Sequence, residues 1–203
     1  MKCICFFGDS LTLGVNDRKM QGWTGRWHIR AQEAMEDNGA GFPALTTYNL
    51  GIRKNGSPAI GERWEAELTS RILDGAGMMS VFCFGVVDAA MPTGKVNVPV
   101  AESLEHARAI LSGAQEKSRV MMISPPPVAD AAHSGRIAEL SAAYRELCEE
   151  LGVPYCDMLP TLRDSEAYID SLSDGIHPGE AGCEVFAEAL FAFAPLTRWL
   201  LDD

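Results

Sequence analysis

The sequence has little positive charge and no long hydrophobic run. Lysine and arginine number 17 against 28 aspartates and glutamates, which gives a formal net charge of −11 at pH 7. Nucleic acids and anionic membranes attract basic patches, so neither is an expected partner. No apolar run approaches the ~20 residues of a membrane-spanning helix, and the N-terminal run is too short for a signal peptide. We therefore expect a cytoplasmic protein without membrane insertion.

Cysteine spacings typical of metal or redox sites are also missing. The six cysteines include no C-x-x-C pair and match no zinc-ligand pattern. Most of them lie within apolar runs, which predicts reduced, buried thiols and agrees with a cytoplasmic location.

Motifs for phosphate binding are absent too. No G-x-G-x-x-G follows a predicted strand, and Gly94-Lys95 lacks the other residues of a P-loop. The G-x-S-x-G elbow of the α/β-hydrolases does not occur. Little in the sequence favours nucleotide binding.

What the sequence does contain is an alternation of strand-length apolar runs and amphipathic helical segments. Strands are predicted at residues 3–7, 46–51, 78–87, 119–124 and 153–156. Helices are predicted at 22–37, 57–73, 99–117, 134–151 and 178–193. Alternation of this kind implies right-handed crossovers and a parallel sheet. We therefore predict one α/β domain over residues 1–203, a three-layer α/β/α sandwich with a five-stranded parallel sheet.

The first strand runs straight into Gly8-Asp9-Ser10-Leu11. Open parallel sheets bind ligands at the carboxyl ends of their strands, and Ser10 would lie there. A serine at this place is either a turn or helix-cap residue, or a nucleophile. The turns after the second and third strands share the same edge, so the three turns are predicted to form one crevice.

The sequence D-G-I-H-P at positions 174–178 offers the partners that a nucleophilic serine needs. Such a serine requires a base within hydrogen-bond reach, and the base requires a carboxylate that fixes its tautomer. Asp174 lies three residues before His177, close enough on one turn to orient it. The alternative is a helix cap formed by Asp174 beside a surface histidine. The other histidines have no such context and are predicted to be surface or packing residues: His28, His106 and His133.

Together these blocks resemble the GDSL, or SGNH, hydrolases. The matching residues are Gly8-Asp9-Ser10-Leu11, Gly51 after the second strand, the G-x-x-D from Gly85 to Asp88, and the D-x-x-H from Asp174 to His177. The resemblance implies the flavodoxin-like fold of that family, a small-molecule ester substrate, and no metal or organic cofactor. It also implies that Ser10 is the nucleophile, His177 the base and Asp174 its orienting carboxylate, with Asp9 and Asp88 in supporting positions.

The oxyanion hole is where the sequence departs from the family. The resemblance implies backbone N–H donors at Ser10 and Gly51 and an asparagine side chain after the third strand. Val87 occupies that asparagine position and offers no side-chain donor. Loss of one such donor costs on the order of 10²–10³ in kcat in serine proteases. The sequence leaves open whether a loop asparagine replaces it, the candidates being Asn16, Asn55 and Asn97.

Two functions follow from these observations. The first is a serine esterase acting on a small or medium acyl ester, a class that extends to thioesters and acetylated sugars. The second is a degenerate domain that binds an ester or sugar with little turnover because of Val87; the intact triad favours the enzyme. Trp23, Trp27 and Met91-Pro92 are candidate pocket residues, although helical spacing favours core packing for the tryptophans. The natural substrate and homo-oligomerisation stay open.

Overall fold

The computed structural model describes residues 1–202, and its centre is a five-stranded sheet in which every neighbouring pair is parallel. The strands are β1 Lys2–Gly8, β2 Leu45–Gly51, β3 Gly77–Cys83, β4 Arg119–Ile123 and β5 Tyr155–Cys156. Their order in the sheet is β2-β1-β3-β4-β5. The predicted five-stranded parallel sheet is confirmed.

This strand order determines where a crevice forms. The chain leaves β1 toward β2 on one side and then returns to β3 on the other side of β1. The two crossovers leave a gap outside the carboxyl ends of β1 and β3, where open α/β sheets bind ligands. Ser10 follows β1 directly, and Val87 follows β3 by four residues.

Helices cover both faces of the sheet, as predicted. They are α1 Ser10–Leu13, α2 Gly22–Asp37, α3 Ser57–Thr69, α4 Val100–Gln115, α5 Ala131–Leu151, α6 Leu159–Arg163, α7 Glu166–Asp170, α8 Glu180–Phe191 and α9 Ala194–Leu201. Alternate residues of a strand point to opposite faces, and β1 shows this directly. Ile4 and Phe6 pack with α2, α8 and α9, whereas Cys3, Cys5 and Phe7 pack with α3, α4 and α5.

Two tryptophans belong to the core and not to a ligand pocket. Trp23 and Trp27 are fully buried, and each forms a T-shaped contact with Phe6 at centroid distances of 5.2 and 5.3 Å. The helical spacing correctly predicted this packing. All six cysteines are also buried and unpaired, as expected.

Some predicted boundaries were wrong. Strand β3 ends at Cys83 and not at Val87, because Gly85 has a φ of 124° and residues 86–89 form a turn. Helix α5 starts three residues earlier than predicted, where Asp130 caps it by accepting from the N–H of His133 at 2.6 Å. Helices α1, α6, α7 and α9 were missed, since four to eight residues are too few to show a helical period.

No helix within residues 1–202 combines the length and the apolar character needed to cross a membrane.

Candidate active site

Ser10 is held by a tight turn between β1 and α1. Asp9 caps the helix, its Oδ1 accepting from the N–H of Leu11 at 2.8 Å. Gly8 allows the turn to lie close to the sheet: a Cβ there would come within 2.1 Å of Thr12 Oγ1 and 2.3 Å of the Cys83 carbonyl oxygen. Ser10 is thus fixed as the first residue of a helix, at the end of a buried strand.

Asp174 and His177 lie on the turn before α8. Asp174 Oδ1 accepts from the backbone N–H groups of Ile176 and His177 at 2.9 and 2.8 Å. Its other oxygen, Oδ2, lies 2.6 Å from His177 Nδ1. The turn needs the left-handed φ of 83° at Gly175, which glycine adopts at no steric cost. The three-residue spacing therefore brings the carboxylate and imidazole together, as the sequence predicted.

The structure also brings this pair to Ser10, which is 167 residues away in the chain. His177 Nε2 lies 2.7 Å from Ser10 Oγ. Burial tends to raise the pKa of Asp174, but the hydrogen bonds from His177 and Ile176 outweigh it and lower the pKa to about 2. Asp174 is therefore ionised at neutral pH and can hold a proton on His177 Nδ1.

A neighbouring loop ties the histidine turn down. Asn16 Nδ2 donates to the His177 carbonyl oxygen at 2.8 Å and to Ser173 Oγ at 2.9 Å. The loop that carries Asn16 is itself anchored by Asp17, which pairs with Arg26 at 2.5 Å and accepts from the Gly22 N–H at 2.7 Å. Since Asn16 has this structural role, it does not replace the missing oxyanion donor.

A cavity of about 430 Å³ opens beside Ser10 and His177. Its lining comes from the segments that follow β1, β2 and β3, from the start of α5 and from the histidine turn. The residues are Ser10, Leu11, Arg53, Lys54, Val86, Val87, Ala90, Pro92, Asn97, His133, Ile176 and His177. A larger groove of about 540 Å³ lies along α5 and contains serines, but no histidine lines it. Of the two, the smaller cavity is the one in which a serine contacts a histidine.

The geometry around Gly51 gives no support to its predicted oxyanion role, which stays a prediction. Its N–H donates to Asn49 Oδ1 at 3.0 Å, and Gly51 is not among the residues that line the cavity. The glycine is needed for packing, because a Cβ there would come within 2.2 Å of the Leu13 nitrogen. The residue after β2 that borders the cavity is Lys54, which has a left-handed φ of 64°.

Other groups near Ser10 remain as candidates for the oxyanion hole. Among residues 1–202 the N–H of Ser10 has no acceptor, so it is free to donate to a bound ligand. Val87 lines the cavity with an apolar side chain. Asn97 also borders it and donates from Nδ2 to the Val87 carbonyl oxygen at 2.8 Å, whereas Asn55 accepts from Arg63 Nε outside the cavity. Asn97 is thus the one predicted substitute that lies at the site.

Two buried carboxylates lie behind the serine. Asp88 accepts from the N–H and hydroxyl of Ser57 and from Ser103 Oγ, which links the turn after β3 to α3 and α4. Burial, with a smaller contribution from the charge of Asp88, raises the pKa of Asp9 to about 7. Both residues support the turns that carry the site and do not line the cavity.

His133 borders the cavity in a way that the sequence interpretation did not anticipate. Its Nε2 lies 2.9 Å from the Val86 carbonyl oxygen, so the ring holds the turn after β3. His133 follows the end of β4, at the same edge as the other loops, which was the signal available in the sequence. His28 lies 2.9 Å from Thr47 Oγ1 and His106 is near Glu102, both away from the site.

Within the described residues, no group of three or more His, Cys, Asp or Glu side chains is placed to hold a metal ion.

A family model described as GDSL-like Lipase/Acylhydrolase matches residues 6–185. The chain therefore belongs to the GDSL-like lipase/acylhydrolase family, and the resemblance stated above is confirmed. No curated protein sequence matches it significantly.

Solved structures with the same fold include hydrolases of related kinds. A lipase/acylhydrolase from Enterococcus faecalis has 21% identity over 94% of this chain and 93% of its own, with a TM-score of 0.72. A carbohydrate acetylesterase from Sinorhizobium meliloti has 15% identity over 97% and 100%, with a TM-score of 0.74. An acetylxylan esterase from Geobacillus stearothermophilus has 16% identity over 94% and 92%, with a TM-score of 0.75. These similarities establish the shared α/β/α fold.

Proposed function

We propose that this chain is a serine esterase in which Ser10 attacks the carbonyl carbon of an acyl ester. The observation that carries the proposal is the unbroken line of contacts from Ser10 Oγ to His177 Nε2 at 2.7 Å and from His177 Nδ1 to Asp174 Oδ2 at 2.6 Å. A serine needs such a base to become nucleophilic, and the base needs an oriented carboxylate.

The reaction follows from these contacts. With its proton on Nδ1, the neutral imidazole of His177 accepts the Ser10 hydroxyl proton on Nε2 as Oγ bonds to the carbonyl carbon. The same nitrogen then gives that proton to the departing alkoxide, and the ester C–O bond breaks. A water molecule, deprotonated by Nε2, attacks the acyl-serine and releases the acid, and the proton returns to Ser10. Asp174 stays ionised throughout and stabilises the imidazolium.

Few groups at the site can stabilise the negative charge that develops on the carbonyl oxygen. The Ser10 N–H is free to donate to it, but Val87 contributes no side-chain donor and the Gly51 N–H is already engaged. A missing donor costs on the order of 10²–10³ in kcat. We therefore expect faster turnover of esters with good leaving groups than of alkyl esters.

The substrate class is a small or medium acyl ester. A cavity of about 430 Å³ admits a short acyl chain or one sugar unit beside Ser10. The structural neighbours described as acetylxylan and carbohydrate acetylesterases make acetylated sugars the first natural substrates to test, with thioesters next.

A second candidate is a degenerate domain that binds an ester or sugar and turns it over poorly or not at all. Val87 at the family asparagine position and the occupied N–H of Gly51 favour it. The degenerate domain would bind the same class of ligand as the esterase but would hydrolyse it slowly or not at all.

The test is hydrolysis of 4-nitrophenyl acetate, butyrate and octanoate, with mass analysis of the quenched protein. The esterase is expected to release 4-nitrophenol catalytically and to carry the acyl group on Ser10. Ser10→Ala should abolish both, whereas Ser70→Ala, an exposed serine away from the cavity, should change neither. Acylation of Ser10 without turnover would favour the degenerate domain, and absence of both would contradict the esterase.

A further inference from the structure

The cavity beside Ser10 has a charge opposite to that of the whole chain. Aspartate and glutamate outnumber lysine and arginine by 28 to 17 in the sequence. Of the twelve residues that line the cavity, however, Arg53 and Lys54 are cationic and none is acidic. A ligand in the cavity therefore meets local positive charge on an otherwise acidic protein.

Both cations are available to a ligand. Arg53 and Lys54 are exposed, and within residues 1–202 neither forms an ion pair or a side-chain hydrogen bond. Other basic side chains near the site are engaged. Arg63 donates to the carbonyl oxygen of Gly8 and pairs with Glu67, and Arg136 donates to the carbonyl oxygen of Ala89.

The backbone at Lys54 offers a second, independent observation. Its φ of 64° lies in the left-handed region, where a residue with a side chain is disfavoured by roughly 1–2 kcal/mol relative to glycine. Such conformations concentrate at functional sites, where a particular side chain is retained despite the strain. Lys54 therefore borders the cavity in a backbone conformation that glycine would adopt at no steric cost.

The carboxylates behind the serine are engaged with partners of their own and do not line the cavity. Asp174 faces His177 and two backbone N–H groups, and Asp88 is enclosed by Ser57 and Ser103. Asp9 is buried, with its pKa raised to about 7, so it is only partly ionised at neutral pH.

We propose that the substrate of this site carries an anionic group, such as a carboxylate, which Arg53 and Lys54 bind while Ser10 attacks the ester. This inference rests on the proposed esterase function and narrows its substrate class. The planar guanidinium of Arg53 can hold a carboxylate through two parallel hydrogen bonds, and Lys54 adds a second charge.

The experiment compares matched esters that differ in charge. On the acyl side, the mono-4-nitrophenyl ester of adipic acid is paired with 4-nitrophenyl hexanoate. On the alcohol side, 4-acetoxybenzoate is paired with its methyl ester. The readout is the ratio of kcat/KM for the anionic member to that for the neutral member, which cancels general losses of activity or stability.

In at least one pair, we expect the wild-type ratio to exceed one at low salt and to fall as ionic strength rises, because salt screens exposed charges. The double variant Arg53→Gln/Lys54→Gln should lower that ratio by about tenfold, mainly through KM. Lys54→Gly keeps the left-handed backbone without the charge and should lower the ratio as Lys54→Gln does. Lys95→Gln, an exposed lysine outside the cavity, should leave the ratio unchanged.

Two results would overturn the proposal while leaving the esterase intact: a wild-type ratio of one or less in both pairs, or an unchanged ratio in the double variant. If neither member of either pair were hydrolysed, the proposed function itself would fail, together with the substrate class.

Discussion

The two halves of the site differ in how completely they are built. On one side, Ser10, His177 and Asp174 are joined by contacts of 2.7 and 2.6 Å, and Asn16 secures the histidine turn. On the other side, the turn after β3 presents Val87 where the family has an amide, and the N–H of Gly51 is already used. Apart from the N–H of Ser10, the groups that would stabilise the oxyanion come from different segments than His177 and Asp174, which activate the nucleophile. One half can therefore change while the other is retained.

The largest effect is expected from a substitution in the complete half, the one that activates Ser10. His177→Ala should lower kcat/KM by about 10⁴ or more, because Ser10 then has no base. The double variant Ser10→Ala/His177→Ala should be no worse than either single variant, since the two residues act as a unit. Kinetics on 4-nitrophenyl acetate measure both effects. Additive losses would show that the two residues act separately.

A somewhat smaller loss is expected from Asp174→Asn. The amide keeps the shape but can donate toward His177 Nδ1, which favours the wrong imidazole tautomer and costs about 10³–10⁴ in kcat. Asp174→Ala is the matched comparison, because it removes the carboxylate without imposing a tautomer. If both Asp174 variants kept nearly wild-type kcat, a residue other than Asp174 would orient His177.

The incomplete half should be improvable. Val87→Asn is expected to raise kcat by about tenfold with little change in KM, because a donor to the oxyanion acts mainly in the transition state. Val87→Ala, which adds no donor, should not raise kcat. The new amide costs roughly 1–3 kcal/mol if it is left unpaired, so thermal unfolding is measured alongside. If Val87→Asn were as stable as the wild type but had no higher kcat, another group would already donate to the oxyanion. Asn97→Ala would then be expected to lower kcat.

The last prediction concerns the pH dependence of stability, not activity, at Asp9, which lies behind both halves. Its pKa is raised by burial from 3.8 to about 7, so the folded state binds a proton that the unfolded state has released between these values. The free energy of unfolding should therefore fall as pH rises from about 4 to about 7, by on the order of 1 kcal/mol per pH unit from this residue. Denaturant unfolding of wild type and Asp9→Asn across this range compares the slopes. Identical slopes would contradict the buried, proton-binding carboxylate.

Much of the fold and the Asp174–His177 pair could be predicted because the signals are local, whereas the pairing of His177 with Ser10, 167 residues away, was implied by the family resemblance. Strand-length apolar runs identified the strands, and a three-residue spacing joined Asp174 to His177. The incomplete half depends on loop geometry that spacing does not encode. Gly51 matched the family pattern, but its N–H is taken by Asn49, two residues earlier. Lys54 and His133 border the cavity because of the conformation of the loops before them, which the sequence spacing does not predict. The single domain over residues 1–203 and the cytoplasmic location stay predictions.

The central claim is that His177 and Asp174 activate Ser10, and covalent labelling tests it most directly. A fluorophosphonate probe reacts with a serine only when a neighbouring base makes it nucleophilic. The rate of labelling, with peptide mapping of the product, is compared in wild type and His177→Ala. We expect a single label on Ser10 in the wild type and a rate lower by about 10³ or more in the variant. An unlabelled wild-type Ser10, or equal rates in both proteins, would contradict the claim.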